Sequence, residues 1–173
     1  MNRKQKACFQ TAISNVVKRK RDEETTQIIM YTGGPGGTGK SQIINAIVAF
    51  HEAINARHHL KLAATIGTAA KMIEGSTVAS MFAFGYGKKP KKNSNSTKLE
   101  TAFKHTKTVV IDEVSTLSQQ QLASISQKLT LATKANPSEA FGRLDMLFFG
   151  DFIQFPPIIG LSLIHISEPT RPY

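Results

Sequence analysis

The stretch Gly34-Pro-Gly-Gly-Thr-Gly-Lys40-Ser41 constrains this chain more than any other. It fits G-x-x-x-x-G-K-[ST], a spacing in which glycines let backbone N–H groups turn inward around phosphate oxygens. Ile28-Ile-Met-Tyr31 precedes it and reads as a buried strand. Ile43, Ile44, Ile47 and Val48 follow it and give a helix beginning near Lys40 one apolar stripe. A strand entering a Gly-rich turn that opens a helix is a P-loop: N–H groups and helix dipole favour phosphate there. Lys40 is then placed for the β- and γ-phosphates and the Ser41 hydroxyl for Mg²⁺. The candidate nucleotide cradle is Gly34, Pro35, Gly36, Gly37, Thr38, Gly39, Lys40 and Ser41. The same letters also read G-x-G-x-x-G at Gly34, Gly36 and Gly39, a dinucleotide-binding fingerprint. That fold wants an acid ending the second strand, but residues 60–66 hold none, and Lys40-Ser41 would have no role. A chance Gly-rich turn is the third reading, opposed by the strand before it and the helix after it.

Around this unit, strand and helix patterns alternate. Phe9, Ala12, Ile13, Val16 and Val17 recur at helical spacing. That helix ends in Lys18-Arg-Lys-Arg21, read as a solvated end facing Asp22-Glu-Glu24; a localisation signal is the other reading. Residues 60–66 read as a second strand, 77–84 as a short helix, and 85–98 as a polar, basic, mobile loop. Residues 108–111 form a third strand. Ser118 and Gln121 make a capping box for a helix that buries Leu122, Ile125 and Leu129. Residues 146–149 form a fourth strand. The pattern predicts an α/β protein, a mostly parallel sheet with helices on both faces.

Two further segments carry chemistry. Val109-Val-Ile-Asp112-Glu113 is an apolar strand ending in two carboxylates. Asp112 suits the Mg²⁺ shell, and Glu113 suits orienting or deprotonating an attacking water. Asp-Glu pairs at strand ends are common; this one gains weight by following a P-loop in order. In Gly150-Asp-Phe-Ile-Gln154-Phe-Pro-Pro157, Gln154 lies just past a strand end, within reach of a γ-phosphate. A loop with a rigid Pro-Pro turn is the alternative, and spacing does not choose between them.

GGPGGTGKS, VVIDEVSTLS and LFFGDFIQFPP, in this order, resemble motifs I, II and III of superfamily 1 DNA helicases. The subtype is similar to the petite-integration-frequency (Pif) helicases, relatives of RecD. Asn2-Arg-Lys-Gln5-Lys-Ala-Cys-Phe9 resembles their N-terminal Q motif, with Gln5 in the place of the adenine-reading glutamine. Gly67-Thr-Ala-Ala70, Gly75-Ser-Thr77 and Ser80-Met-Phe82 resemble motif Ia, which touches the single strand. The resemblance spans residues 2–157. It implies a RecA-like P-loop NTPase fold, ATP and Mg²⁺ as cofactors, and single-stranded DNA as partner. It also implies ATP-driven 5′→3′ movement serving repair, recombination, telomere and genome maintenance, in nucleus or mitochondrion.

By the resemblance, Lys40, Asp112, Glu113 and Gln154 are catalytic, Gln5 joins the P-loop in binding nucleotide, and Ser41 and Asp112 hold Mg²⁺. Thr65, Gly67, Ser80, Phe82, Lys88 and Lys89 are the expected DNA contacts. Two departures bear on DNA contact rather than on the ATP site. Ile66 stands where the family has Thr before the motif Ia glycine, and Ala79 where it has His. Such helicases also have a second, C-terminal RecA-like domain that supplies an arginine to the transition state. Arg143 precedes motif III and is not assigned that role. An arginine finger is worth about 10³–10⁵ in rate, so one domain alone is expected to hydrolyse ATP slowly. Two other readings stay open: another P-loop ATPase of clamp-loader or AAA type, and a non-catalytic nucleotide-binding remnant of a mobile-element helicase.

Charge bears on the partner. Lys and Arg total 22 against 12 Asp and Glu, a net +10 that attracts nucleic acid or acidic membrane. No apolar run approaches the ~18–20 residues of a membrane span. The N-terminus has no apolar core of a secretory signal. Cys8 is alone, so neither an internal disulfide nor a multi-cysteine zinc site is expected. Phe82, Phe84 and Tyr86 precede Lys88, Lys89, Lys91 and Lys92, an aromatic-plus-basic pattern suited to a single strand. The alternative puts Phe82 and Phe84 in the core and the lysines in solvent. His51, His58, His59 and His105 read as solvated, with no metal beyond nucleotide-bound Mg²⁺. Residues 161–171 resemble the translation of a transposase-end sequencing adapter. The expected domain is therefore 1–160, with 161–173 an assembly scar; a short strand with a Pro-rich end is the other reading.

Overall fold

In this computed structural model the described residues are 1–84 and 94–152, the side chains of 94–96 excepted. Tyr86, Lys88, Lys89, Lys91, Lys92, Gln154 and residues 161–173 lie outside them. In chain order the elements are α1 (Arg3–Lys20), β1 (Ile29–Gly33), α2 (Lys40–Ala53), β2 (Leu60–Ala64), α3 (Gly67–Met72) and β3 (Ser76–Thr77). They continue with α4 (Val78–Met81), α5 (Ser94–Phe103), β4 (Thr108–Asp112), α6 (Gln119–Thr133) and β5 (Asp145–Gly150).

Among the described residues the strands form one parallel sheet of five in the order β1-β5-β4-β2-β3. Alternate residues of β4 and β5 supply two cores. Val109, Ile111, Met146 and Phe148 face Phe82, Phe103, Ile125 and Leu129 on one side of the sheet. Val110, Leu147 and Phe149 face Ile43, Ile44 and Ile47 of α2 on the other, where Ala12 of α1 also packs. Continuous apolar strands are what a sheet covered on both faces requires. The predicted α/β architecture is the one observed. Among the described residues, no helix is long and apolar enough to cross a membrane.

Several local expectations are corrected. β1 has alternating exposure and stands at the edge of the sheet, β5 being its one neighbour among the described residues; Ile29 is 51% and Tyr31 45% exposed. Residues 94–98, expected in a loop, begin α5, whose Leu99 and Phe103 sit one turn apart and pack on the core. Five polar residues ahead of Leu99 hide that periodicity. In place of one helix over 77–84, β3 ends at Thr77 and α4 makes a single turn over Val78–Met81, with Thr77 Oγ1 accepting from Ser80 N. Arg21 does approach Glu23 (3.8 Å), but Arg19, in the same basic run, turns inward to Asp145. His51, expected in solvent, is 1% exposed, with Nδ1 2.8 Å from the Ile47 carbonyl oxygen.

Candidate nucleotide site

The parallel register brings the carboxyl ends of β1, β5 and β4 together, where loops of an open α/β sheet bind ligands. Gly33 pairs with Gly150, and the Gly34 N–H donates to the Gly150 carbonyl (3.2 Å). The loop then turns through Gly37 and Gly39, whose φ values of +79° and +82° favour glycine. A Cβ on Gly34 would stand 2.8 Å from Thr38 Oγ1, and one on Gly39 2.4 Å from Gln5 Nε2. Thr38 Oγ1 ties the turn by donating to the Pro35 carbonyl (2.7 Å). Lys40 opens α2, and its ammonium reaches back over the loop to the carbonyls of Gly34 (2.5 Å) and Pro35 (3.2 Å). Ser41, next on the helix, is exposed.

Gln5 joins this loop from 33 positions away. Its Nε2 donates to the Thr38 carbonyl (3.0 Å), while Oε1 accepts from Asn2 N (2.7 Å) in the capping box that starts α1. The glutamine placed by the Q-motif resemblance thus touches the phosphate-loop turn itself.

The carboxylates stand at the end of β4. Asp112 is buried, and its Oδ1 accepts the Glu113 N–H (2.9 Å). Glu113 adopts left-handed backbone angles (φ 55°, ψ 40°), uncommon for a residue with a Cβ and held only where surroundings enforce it. Thr65 Oγ1 enforces it by donating to the Glu113 carbonyl (2.8 Å), and Thr116 Oγ1 lies 2.5 Å from Thr65 Oγ1. Burial raises the Asp112 pKa, with the Glu113 N–H and Lys40 opposing. Burial raises the Glu113 pKa too, Asp112 and Asp151 add to it, and Lys40 opposes. Lys40, Asp112, Glu113 and Asp151 therefore form one electrostatic cluster around the loop.

This donor set suits a hard cation. It offers a hydroxyl on Ser41 and carboxylates that sit close to one another with one ammonium to balance them. Among the described residues no three His, Cys, Asp or Glu side chains converge as a metal cage. Magnesium would thus rest on Ser41, one carboxylate and the nucleotide's own oxygens, as P-loop sites hold it.

The expected DNA contacts divide. Gly67 and Ser80 are exposed beyond the carboxyl ends of β2 and β3, on the rim that carries the P-loop. Thr65 is half-buried, with its hydroxyl committed to Glu113. Phe82 is corrected: it is fully buried and its ring stacks on Phe103 (5.7 Å), so it is core and presents no face to a base. Phe84 packs against that core beneath the Lys128 ammonium, 4.4 Å from the ring centroid. Lys88, Lys89 and Gln154 fall outside the described residues. The Thr65–Glu113–Thr116 link and the electrostatic part of Asp151 were missed from sequence. An acid one residue past a strand neighbouring the P-loop strand was the available signal for Asp151.

A family model for PIF1-like helicases matches residues 1–164. The Saccharomyces cerevisiae protein named ATP-dependent DNA helicase RRM3 is 30% identical over 86% of this chain and 20% of its own length. The crystal structure of Pif1 helicase from Candida albicans superposes with a TM-score of 0.71 at 24% identity, covering 92% of this chain and 34% of that one. Pif1 helicase from Bacteroides, in complex with ADP-AlF3 and ssDNA, superposes with a TM-score of 0.61 at 21% identity, covering 84% and 33%. The chain thus spans about a fifth of the yeast relative and about a third of the solved helicases. Motif order, P-loop geometry and the match along nearly all of the sequence agree: this chain belongs to the PIF1-like helicase family.

Proposed function

We propose that this chain is the first RecA-like motor domain of an ATP-dependent DNA helicase, which binds Mg·ATP on the Gly34–Ser41 loop and moves 5′→3′ on single-stranded DNA. One observation carries the reading: Gln5, Lys40, Asp112 and Glu113, scattered over 109 positions of sequence, converge on one phosphate-loop turn. Lys40 supplies the charge for the β- and γ-phosphates, and Ser41 and Asp112 would hold the magnesium. Magnesium, when bound, neutralises charge developing on the phosphates. Glu113, its pKa lifted by burial and by Asp112, is the group suited to orient the attacking water and receive its proton. Single-stranded DNA would cross the same rim over Gly67 and Ser80. Both the RRM3 name and the Bacteroides complex are consistent with this assignment.

The test separates binding from turnover. Lys40→Ala should abolish binding of a fluorescent ATP analogue. Glu113→Gln should bind it normally and lose about 10²–10⁴ in turnover. The turnover measurement needs the chain extended through its second RecA-like domain. Equal turnover in Glu113→Gln would remove Glu113 from the reaction. Nucleotide binding with no turnover in that extended wild type would point to a non-catalytic remnant.

A further inference from the structure

We propose that Tyr31 is a positioning residue that couples the P-loop to the segment leaving β5, so that nucleotide on the loop also orders Asp151 and Phe152. This rests on the nucleotide reading above. Tyr31 stands on β1 two residues before Gly33, on the same face of the strand. Its ring leans along the strand over Gly33, where a Cβ would lie 2.8 Å from Tyr31 Cε1. Gly33 precedes the motif proper, so its lack of a side chain serves the tyrosine and not the phosphate turn. The hydroxyl donates to the Gly150 carbonyl (3.3 Å), the oxygen that also accepts the first P-loop N–H, that of Gly34 (3.2 Å). The ring also meets Phe152, centroid to centroid 4.9 Å at 35°.

One carbonyl oxygen thus receives both the start of the P-loop and the tyrosine that holds the chain after β5. A Cβ on Gly150 would press on Val114 N at 3.0 Å, so this strand end is also wedged against the loop following Glu113. Movement of Gly34 on binding phosphate displaces the Gly150 carbonyl, and the ring contact passes that displacement to Phe152. Desolvation and the Asp151 carboxylate raise the Tyr31 pKa, with the Phe152 backbone N–H opposing; the net rise keeps the hydroxyl protonated and a donor. The hydroxyl bond is long, so the ring carries most of the coupling, lying against Gly33 at the entry to the loop and against Phe152 beyond β5.

Amide hydrogen exchange of this chain, with and without Mg·ATP, reads the coupling directly. In the wild type, nucleotide should slow exchange both at residues 36–41 and at residues 151–152. Tyr31→Ala should retain slowing at 36–41 and lose about 2- to 30-fold of it at 151–152, the range of a coupling contact. Tyr31→Phe, which keeps the ring, should lie between them. Phe152→Ser removes the contact from the other side and should repeat the loss if Tyr31→Ala fails to fold. Nucleotide-dependent slowing at 151–152 equal to wild type in Tyr31→Ala, or in Phe152→Ser, overturns the coupling. No slowing at 36–41 in the wild type overturns the nucleotide reading and the coupling with it, and that result is distinct from a loss confined to 151–152.

Discussion

Asp112 sets the pH behaviour of the site. Its carboxyl is buried, which raises its pKa above the ordinary carboxylate range. The folded chain therefore holds this proton to higher pH than the unfolded chain. Stability falls as pH rises between the ordinary value and the raised one, and the burden is full above the raised value. Asp112→Asn keeps an oxygen for the Glu113 N–H and removes the charge. Its melting temperature should exceed wild type at pH 7, by about 2–4 °C for each kcal/mol relieved. Thermal melts should show the gap closing as pH falls towards about 4. The same variant should need more magnesium to bind ATP. A variant less stable than wild type at pH 7 would mean that the carboxylate is held by favourable contacts and not merely buried. Such a trade of stability for function is expected where a charge must meet a ligand. Asp112 and Glu113 were legible in sequence because an apolar strand runs straight into them. The role of Thr65 was not, since its hydroxyl acts on a carbonyl 48 positions away and resemblance assigned it to DNA.

At the scale of elements, the strand–turn–helix of β1 and α2 could be read from spacing, because glycine, lysine and the apolar stripe have local causes. What fastens α1 across the sheet could not. Asp145, at the start of β5, is fully buried. Its Oδ1 accepts from Asn15 Nδ2 (2.8 Å) and Ile28 N (2.9 Å), and its Oδ2 from Arg19 (2.8 Å). In sequence Asp145 looks like any acid in a turn, and Arg19 like one member of a basic run. Eighteen residues of α1 span about 27 Å, enough to cross the sheet from end to end. The helix is pinned at its start by Gln5 on the P-loop and near its end by Arg19 on β5. Asp145→Ala takes this acceptor from the half-buried Arg19 guanidinium and from the Ile28 N–H, and leaves the Asn15 amide only the Thr26 carbonyl (2.7 Å). Urea denaturation should show a loss of about 1–3 kcal/mol, the cost of leaving a buried donor unsatisfied. Because α1 also carries Gln5, affinity for the nucleotide should fall in the folded fraction. A loss under about 1 kcal/mol would show that water replaces the carboxylate there.

For the molecule as a whole, the sheet assigns one rim to chemistry and leaves the opposite rim to fastening. The P-loop, Asp112 and Glu113 stand at the carboxyl ends of the strands, with Gly67 and Ser80 beside them. The Arg19–Asp145 pair lies at the amino end, and Lys18 and Lys20 are exposed beside Arg19. Net charge alone does not say which rim meets a polyanion. Salt dependence does, since each phosphate contacted on a single strand contributes about −0.7 to the slope of log K against log salt. If the proposed DNA path is right, affinity for a thymine oligonucleotide should fall linearly on that plot. Replacing both Lys88 and Lys89 by Ala should then flatten the slope by about 1.4. The same double change at Lys18 and Lys20 should leave it unaltered, although it removes equal charge. This comparison separates a local contact from the general pull of a +10 chain, which would weaken alike in both variants. Equal flattening in both would take the basic run after Phe84 out of the DNA path and leave its lysines as contributors to net charge alone.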